Sequence, residues 1–339
     1  MPLPFILAGV AIIAGGYGIK KGVDAKGDFD KAESLNNEAK HIFEEAKSKL
    51  EQERKFAQES IEKLGRLKFS TYQKNVIPFV EVFSKIKNID FRDNSIEEIL
   101  SIKDLDKQDL LSIQESAFKM KEVINGGLTA LGSGGLAGLA TYGGVGMLAS
   151  ASTGTAIAGL SGAAATNATL AWLGGGALSA GGFGIAGGTA VLGGIVAGPV
   201  LAIGGMMLAS KAEAAKHDAY TNRDNAKIAA EQMKSATLVT EAIKKRFNQT
   251  DQVLVKLNFT FAPFLSSLQI LVNNNTDYSS YSDEDKKGVM MTFSLAKTIK
   301  NLLETPLLNE QGTITESSEK AITETKARLE EIKIGKNNT

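Results

Sequence analysis

The stretch "GGFGIAGGTAVLGGIVAGPVLAIGG" runs from Gly181 to Gly205; ten of its 25 residues are glycine and none is charged. Three readings compete for it: a phosphate-cradling loop, a flexible linker, or a tightly packed apolar segment. Outward from it lies a longer block of the same character. From Val123 to Ser210, 88 residues pass without an Asp, Glu, Lys, Arg or His, and they hold 25 of the 35 glycines and the single tryptophan, Trp172. Charged side chains are almost never fully buried, so a soluble domain spreads them along its length to cover its surface. Here they are segregated instead.

The phosphate-loop reading starts from Gly182, Gly184 and Gly187, which match G-x-G-x-x-G. A dinucleotide site also needs a preceding strand and an acid about twenty residues on to hold the ribose. The next acid is Glu213, and no strand pattern precedes the glycines. The block contains no lysine, so it offers no G-x-x-x-x-G-K-[ST] loop. Gly159-Leu-Ser161-Gly162-Ala163 misses a nucleophile elbow at its last position. The linker reading fails on composition, because flexible linkers carry few large apolar side chains. The block has 27 Leu, Ile, Val, Met, Phe and Trp residues, 12 of them within the 26 positions of Phe183–Leu208.

Close-packed apolar helices remain. Gly134/Gly138, Gly184/Gly188 and Gly194/Gly198 are G-x-x-x-G pairs, and Gly174, Gly181 and Gly188 recur every seven residues. Such spacings line glycines along one helix face, where two backbones approach closely; in lipid, this contact is what joins helices. Pro199 marks a kink or hairpin corner, and Trp172 suits an interfacial anchor or an ordinary core position. At about 20 residues per crossing, the block has room for up to four. Flanks sharing one side of the membrane require an even number, hence one or two hairpins turning near Asn167 or Gly174–Gly176. The first half, from Val123 to Thr169, is rich in Ala, Gly, Ser and Thr and inserts reluctantly. That composition suits a segment held in a soluble fold and later released into lipid. The rival reading is a glycine-packed core wrapped by the flanking helices.

Both flanks read as helices. "PFILAGVAIIAGGYGIKK" is apolar from Pro4 to Ile19 and stops at Lys20 and Lys21, which fits either a membrane anchor with a cytoplasmic body or an apolar helix within the bundle. From Asp28 to Leu64 apolar residues recur at helical spacing, and Phe43, Leu50, Ala57 and Leu64 form a seven-residue stripe. Gly65 weakens the helix there. A second stretch, Thr71 to Ile89, is expected to kink or restart near Pro78. Shorter helices follow around Ser95–Ile102 and Lys107–Ile124, the latter capped by Asp104 or Asp106. Beyond the block, a helix is expected from Lys211 to about Val272 on the apolar pattern of Ala212, Ala215, Ala219, Ala226, Ala229, Met233, Ala236, Val239, Ile243, Phe247, Val253, Leu257, Phe264, Leu268 and Leu271, with a bend at Pro263. After a loop over Asn273–Asp285, with Ser282 as N-cap, come helices at about Asp283–Glu304 and Thr315–Ile334. No strand pattern occurs. The expected fold class is all-α: long amphipathic, coiled-coil-like helices flanking a central glycine-rich apolar helical hairpin. The expected regions are 1–21 (apolar helix, candidate anchor), 22–122 (amphipathic helices), 123–210 (apolar insertion region) and 211–339 (helical stalk or bundle).

Composition narrows the function. Lys plus Arg and Asp plus Glu are 38 each, so no net field draws nucleic acid to the chain. Cysteine is absent and there are two histidines, His41 and His217, poor material for a metal or catalytic centre. The pairs Glu44/Glu45 and Asp283/Glu284/Asp285 read as solvated faces and caps rather than acid–base machinery. No cofactor, metal site or enzymatic activity is expected.

Amphipathic helices flanking a central apolar hairpin resemble the α-helical pore-forming toxins, whose helical-bundle tail carries a hydrophobic head that inserts and oligomerises. Apolipoprotein-L-like and colicin-type hairpins share that layout. "NATLAWLGGG" (Asn167–Gly176) followed by "GTAVLGG" (Gly188–Gly194) resembles uncharacterised bacterial glycine-zipper proteins. The likeness is architectural. It implies a bacterial protein that inserts in a lipid bilayer, self-associates into a homo-oligomer and permeabilises or remodels the membrane. Its residues would be Gly134, Gly138, Trp172, Gly174, Gly181, Gly184, Gly188, Gly194, Gly198 and Pro199, and the Lys20-Lys21 boundary favours the inner membrane with a cytoplasmic body. The alternative is a membrane-anchored scaffold whose coiled-coil helices bind a cytoplasmic protein partner.

Overall fold

The computed structural model describes residues 19–91, 105–125, 139–140, 212–309 and 313–337. Among them the protein is all-α, without a strand. Helix α1 spans Ile19–Thr71 and passes through a wide π turn, Tyr72–Val76, into α2, Ile77–Phe83. Helix α3 is Lys107–Asn125 and α4 is Ala212–Asn274. A 3-10 turn, Tyr278–Ser280, leads to α5, Asp283–Glu304, and the last helix, α6, is Glu316–Asn337. The expected central hairpin, the segment before Ile19 and the expected helix around Ser95–Ile102 lie outside the described residues.

The chain divides into two compact units, Met1–Leu50 with Pro199–Ser235 and Glu51–Gly198 with Ala236–Thr339. In the first, Ala32, Leu35 and Ala219 form a small buried cluster. Asn222 there donates to Asn36 at 3.2 Å. The second holds the main core, built from Ile61 onward in α1 together with α2 to α6.

The burial pattern of α4 explains why so long a helix holds. Ala219, Ala226, Met233, Thr240, Phe247, Leu254, Phe261 and Leu268 are all buried, at an unbroken seven-residue step. A second buried row, Ala229, Ala236, Ile243, Thr250 and Leu257, lies three positions on. Together they make the two-row seam of a helix that packs lengthwise against others. Of the apolar positions read from the sequence, Val239 is 46% exposed, and Phe264 and Leu271 are half-buried against the core. Thr240, Leu254, Phe261, Leu265 and Val272 hold the inner face instead. A 3.6-residue period drifts about 20° per heptad from a 3.5-residue one, enough to move the outer positions of a long helix off its seam. Pro263 does not end α4, which continues to Asn274. It sits on the exposed side, where water can satisfy the carbonyl it deprives of a donor.

On α1, Leu50, Ala57 and Leu64 of the expected stripe are buried, and Phe43 is half-buried. Within the second unit this face is packed beside α4. Lys63 pairs with the buried Asp251 at 2.8 Å, and Lys244 pairs with Glu53. The helix does not weaken to a stop at Gly65, because fully buried Leu64 and Lys68 hold the turns on either side. Packing there outweighs the ~1 kcal/mol propensity cost of one glycine. A new element, α2, does begin beside Pro78 as expected, at Ile77, but without a break in the helical path. Thr71, Val76 and Ile77 keep right-handed helical dihedrals, and Ile77 N–H donates to Tyr72 O across the wide turn. Proline lacks an N–H and crowds the carbonyl four residues back; an opened turn just before it relieves both.

Local chemistry sets the remaining ends. Asp106, one of the two expected caps, begins α3 through a reciprocal pair: Asp109 N–H donates to Asp106 Oδ1 at 2.8 Å and Asp106 N–H to Asp109 Oδ2 at 3.2 Å. Asp109 also accepts from Lys297 of α5 at 2.7 Å, so the cap doubles as a tie between helices. Ser282 caps α5 as expected, its hydroxyl accepting from Asp285 N–H at 3.1 Å. The loop after α4 is clamped to the segment that follows α2: Lys87 N–H donates to Thr276 O at 2.7 Å and Tyr278 N–H to Lys87 O at 3.0 Å. Asn88, at φ 56°, completes the clamp by donating to Asp277 Oδ1 at 3.0 Å. That hydrogen bond, with those from Ser279, holds the Asp277 carboxyl below its usual range.

Gly288, inside α5, has open space where a Cβ would stand. Gly288→Ala is therefore expected to stabilise the protein by about 0.5–1 kcal/mol, through the lower entropy of the unfolded chain. A shift of the urea midpoint to higher concentration checks it.

Candidate functional site

The residues singled out from the sequence, Gly134, Gly138, Trp172, Gly174, Gly181, Gly184, Gly188, Gly194, Gly198 and Pro199, all lie outside the described residues. Glu44 and Glu45 are exposed. They face Lys47 at 3.9 Å and His41 at 3.7 Å along the helix surface. Asp283, Glu284 and Asp285 occupy the first turn of α5, where carboxylates complement the helix dipole. Among the described residues no group of His, Asp and Glu is arranged to hold a metal ion.

Two features stand out. The first is the outer side of α4. Counted in its heptads, the positions opposite the buried seam carry Ile228, Leu238, Val255, Phe259 and Ile270, which are 55%, 60%, 49%, 83% and 65% exposed. A solvated helix puts charge at such positions. Around Ile228, Leu238 and Val255 it does, with exposed Lys227, Glu231, Lys234 and Lys256, but the twenty residues from Leu257 to Thr276 contain none. By length and composition, Ala219–Asn274 is the one stretch among the described residues long and apolar enough to cross a membrane. The same stretch carries the seam of a bundle helix, and 33% of its most apolar window is buried within the fold. On α3, Leu111 and Phe118, one heptad apart, are also exposed, at 46% and 63%.

No protein-family model matches the chain, and it has no match among curated proteins or solved structures. The site has to be read from its own chemistry.

The second feature is a polar cluster inside the second unit's core. Lys68 is fully buried and donates through Nζ to Leu303 O at 2.9 Å. Burial lowers its pKa from 10.5 to about 7, with Glu304 pulling the other way. The Glu304 carboxylate accepts from Ser116 Oγ of α3 and pairs with Lys300 at 2.8 Å. Tyr72, in the wide turn, is also fully buried, and its hydroxyl has no hydrogen-bond partner among the described residues. Burial, and secondarily Glu304, raises its pKa. A polar chain continues along the α1–α4 contact: Asn75 Nδ2 donates to Asn258 Oδ1 at 2.8 Å, Asn258 Nδ2 to Thr71 Oγ1 at 2.7 Å, and Thr71 Oγ1 to Leu67 O at 2.8 Å. A lowered amine pKa suits a nucleophile only where substrate can reach it, and Lys68 has no exposed surface. What the cluster can do is couple proton uptake to packing.

The sequence carried a signal for Lys68. It stands four residues after Leu64 and four before Tyr72, on the buried stripe of α1. A charge at a seam position is the exception to look for. The outer stripe of α4 was concealed because its apolar residues share a helix with equally apolar inner ones.

Proposed function

We propose that the chain is a membrane-inserting, self-associating helical protein that permeabilises or remodels a bilayer, resembling a pore-forming effector. The observation that supports the reading best is the outer side of α4, which exposes Ile228, Leu238, Val255, Phe259 and Ile270 and carries no charge from Leu257 to Thr276. That side belongs to the same chain as an 88-residue uncharged glycine-rich block. In this reading the block provides the inserted hairpin or hairpins, its glycine faces join copies into a homo-oligomer, and the helical body lies on the cytoplasmic side of a bacterial inner membrane. A soluble form precedes insertion, in keeping with the block's modest hydrophobicity. The scaffold alternative places a cytoplasmic partner on the α1 stripe. That stripe is taken up by packing within the chain, at Leu50, Ala57 and Leu64, which favours the inserting reading.

The test is location followed by leakage. The intact protein is expected in the membrane fraction, resistant to an alkaline carbonate wash, and to release dye from liposomes. Recovery as a detergent-free cytosolic monomer that leaves liposomes sealed would overturn the proposal. Carbonate-resistant protein without leakage would favour the scaffold.

A further inference from the structure

The Lys68 amine occupies a position that a neutral lysine fits and a charged one does not. An ammonium carries three N–H donors, and the hydrogen bond to Leu303 O is the one Nζ makes among the described residues. The nearby Glu304 carboxylate is already engaged by Ser116 and Lys300. A buried charge whose donors are unmet costs several kcal/mol, and the group sheds its proton instead. The position also matters mechanically. Lys68 precedes the wide turn Tyr72–Val76 by one helical turn, and its acceptor is in the last turn of α5. Single π turns inside α-helices mark places where a helix can change its packing.

We propose that Lys68 is an acid-operated latch between α1 and the end of α5: protonation of its amine weakens this contact and opens the bundle of the second unit, regulating the release that membrane insertion requires. The regulatory role rests on the membrane reading above; the latch itself does not.

The charged and titratable groups around Lys68 leave it in control of the contact. On α5 these are Glu304 and Lys300, which pair with each other. On its own helix and wide turn they are Lys63, paired with Asp251 of α4, and Tyr72. On α3 the residue facing Glu304 is the uncharged Ser116, and its charged neighbours Glu115 and Lys119 pair with each other at the surface at 2.6 Å. Of all of them, Glu304 is the one that acts appreciably on the amine. The sign follows from the direction of the shift. With a folded pKa of about 7 against 10.5 when free, the unfolded chain binds more protons between those values. Stability therefore rises with pH across that window, and the full cost of the charge is present below it.

The experiment is urea unfolding of the full chain, wild type and Lys68→Met, from about pH 6 to about pH 9.5. In the wild type the unfolding constant is expected to fall with rising pH, by at most about tenfold per unit above pH 7. Lys68→Met removes that component and is more stable than the wild type in acid. A Met variant that keeps the wild-type pH dependence overturns the latch. Should that variant not fold, hydrogen exchange on the wild type decides. Protection lost in acid at the amides around Lys68 and Leu303, beyond the intrinsic rate change, supports the latch, and equal protection refutes it. Dye release from liposomes separates the two readings. Release enhanced in acid in the wild type and not in Lys68→Met supports both. Release with the same pH profile in both proteins refutes the latch and leaves the membrane reading standing. No release at any pH, with the stability difference present, refutes the membrane reading and leaves the latch.

Discussion

Phe293→Ala is expected to cost about 3–5 kcal/mol of stability, at the upper end for a core truncation. Phe293 is fully buried in α5 and meets three other rings, with centroid distances of 5.3 Å to Phe83, 6.1 Å to Phe91 and 6.4 Å to Phe79. Phe79 in turn meets Phe261 of α4 edge-on at 6.2 Å. One ring thus ties α5 to α2 and, through Phe79, to α4. Removing it leaves a cavity that rigid neighbouring rings cannot collapse into, and it forfeits the edge and offset contacts as well. Against a total of ~5–15 kcal/mol for a typical domain, such a loss approaches unfolding. A fall in the urea midpoint with an unchanged slope checks it. Phe293→Leu, which restores most of the volume, should recover more than half of the loss. An alanine variant within about 1 kcal/mol of wild type would show that the core is centred elsewhere.

The second large effect concerns self-association. On the membrane-inserting function proposed above, replacing Gly184 and Gly188 together by leucine is expected to cut dye release from liposomes by about tenfold or more, while carbonate-resistant membrane association persists. Leucine is more apolar than glycine, so insertion is not impaired. Its side chain holds neighbouring backbones apart, and in lipid there is no hydrophobic force to substitute for that contact. Losing ~1.4 kcal/mol per interface is already tenfold in association. Gly184→Ala with Gly188→Ala should produce a smaller loss in the same direction. Unchanged release in the leucine variant would remove these two glycines from the assembly; loss of membrane association would mean that they serve folding instead.

The helices were largely legible in the sequence because apolar residues at three- and four-residue steps leave a helix no other way to bury them. The Ser282 cap and the span of α5 follow from local chemistry, a hydroxyl just before a run of acids. The termini of α1 and the passage through Pro78 were less legible. Propensity opposes helix at Gly65 and Pro78, and only the burial of Leu64, Lys68, Tyr72 and Phe79 on one continuous face overrides it. The apolar pattern of α4 left its inner face loosely defined, with Val239 exposed and Phe264 and Leu271 at its margin, because a single-helix period differs from that of a helix packed along its length. Of the candidate features, the glycine spacings and the position of Lys68 on the apolar stripe were legible in the sequence, but not the exposure of the outer apolar residues of α4 or the full burial of Lys68. Exposure and burial are properties of neighbours, which a sequence does not list.

What the sequence by itself determined is the helical class, the segregation of charge away from residues 123–210 and the absence of cysteine chemistry. Each follows from composition and local periodicity. What only the tertiary structure decided is which side of each helix faces inward, that the helical path from α1 runs on through the wide turn and Pro78 into α2, and that Lys68 lies without solvent against Leu303 O. The physical reason is that a helix's periodicity allows several faces, and the choice among them is made by what packs against it.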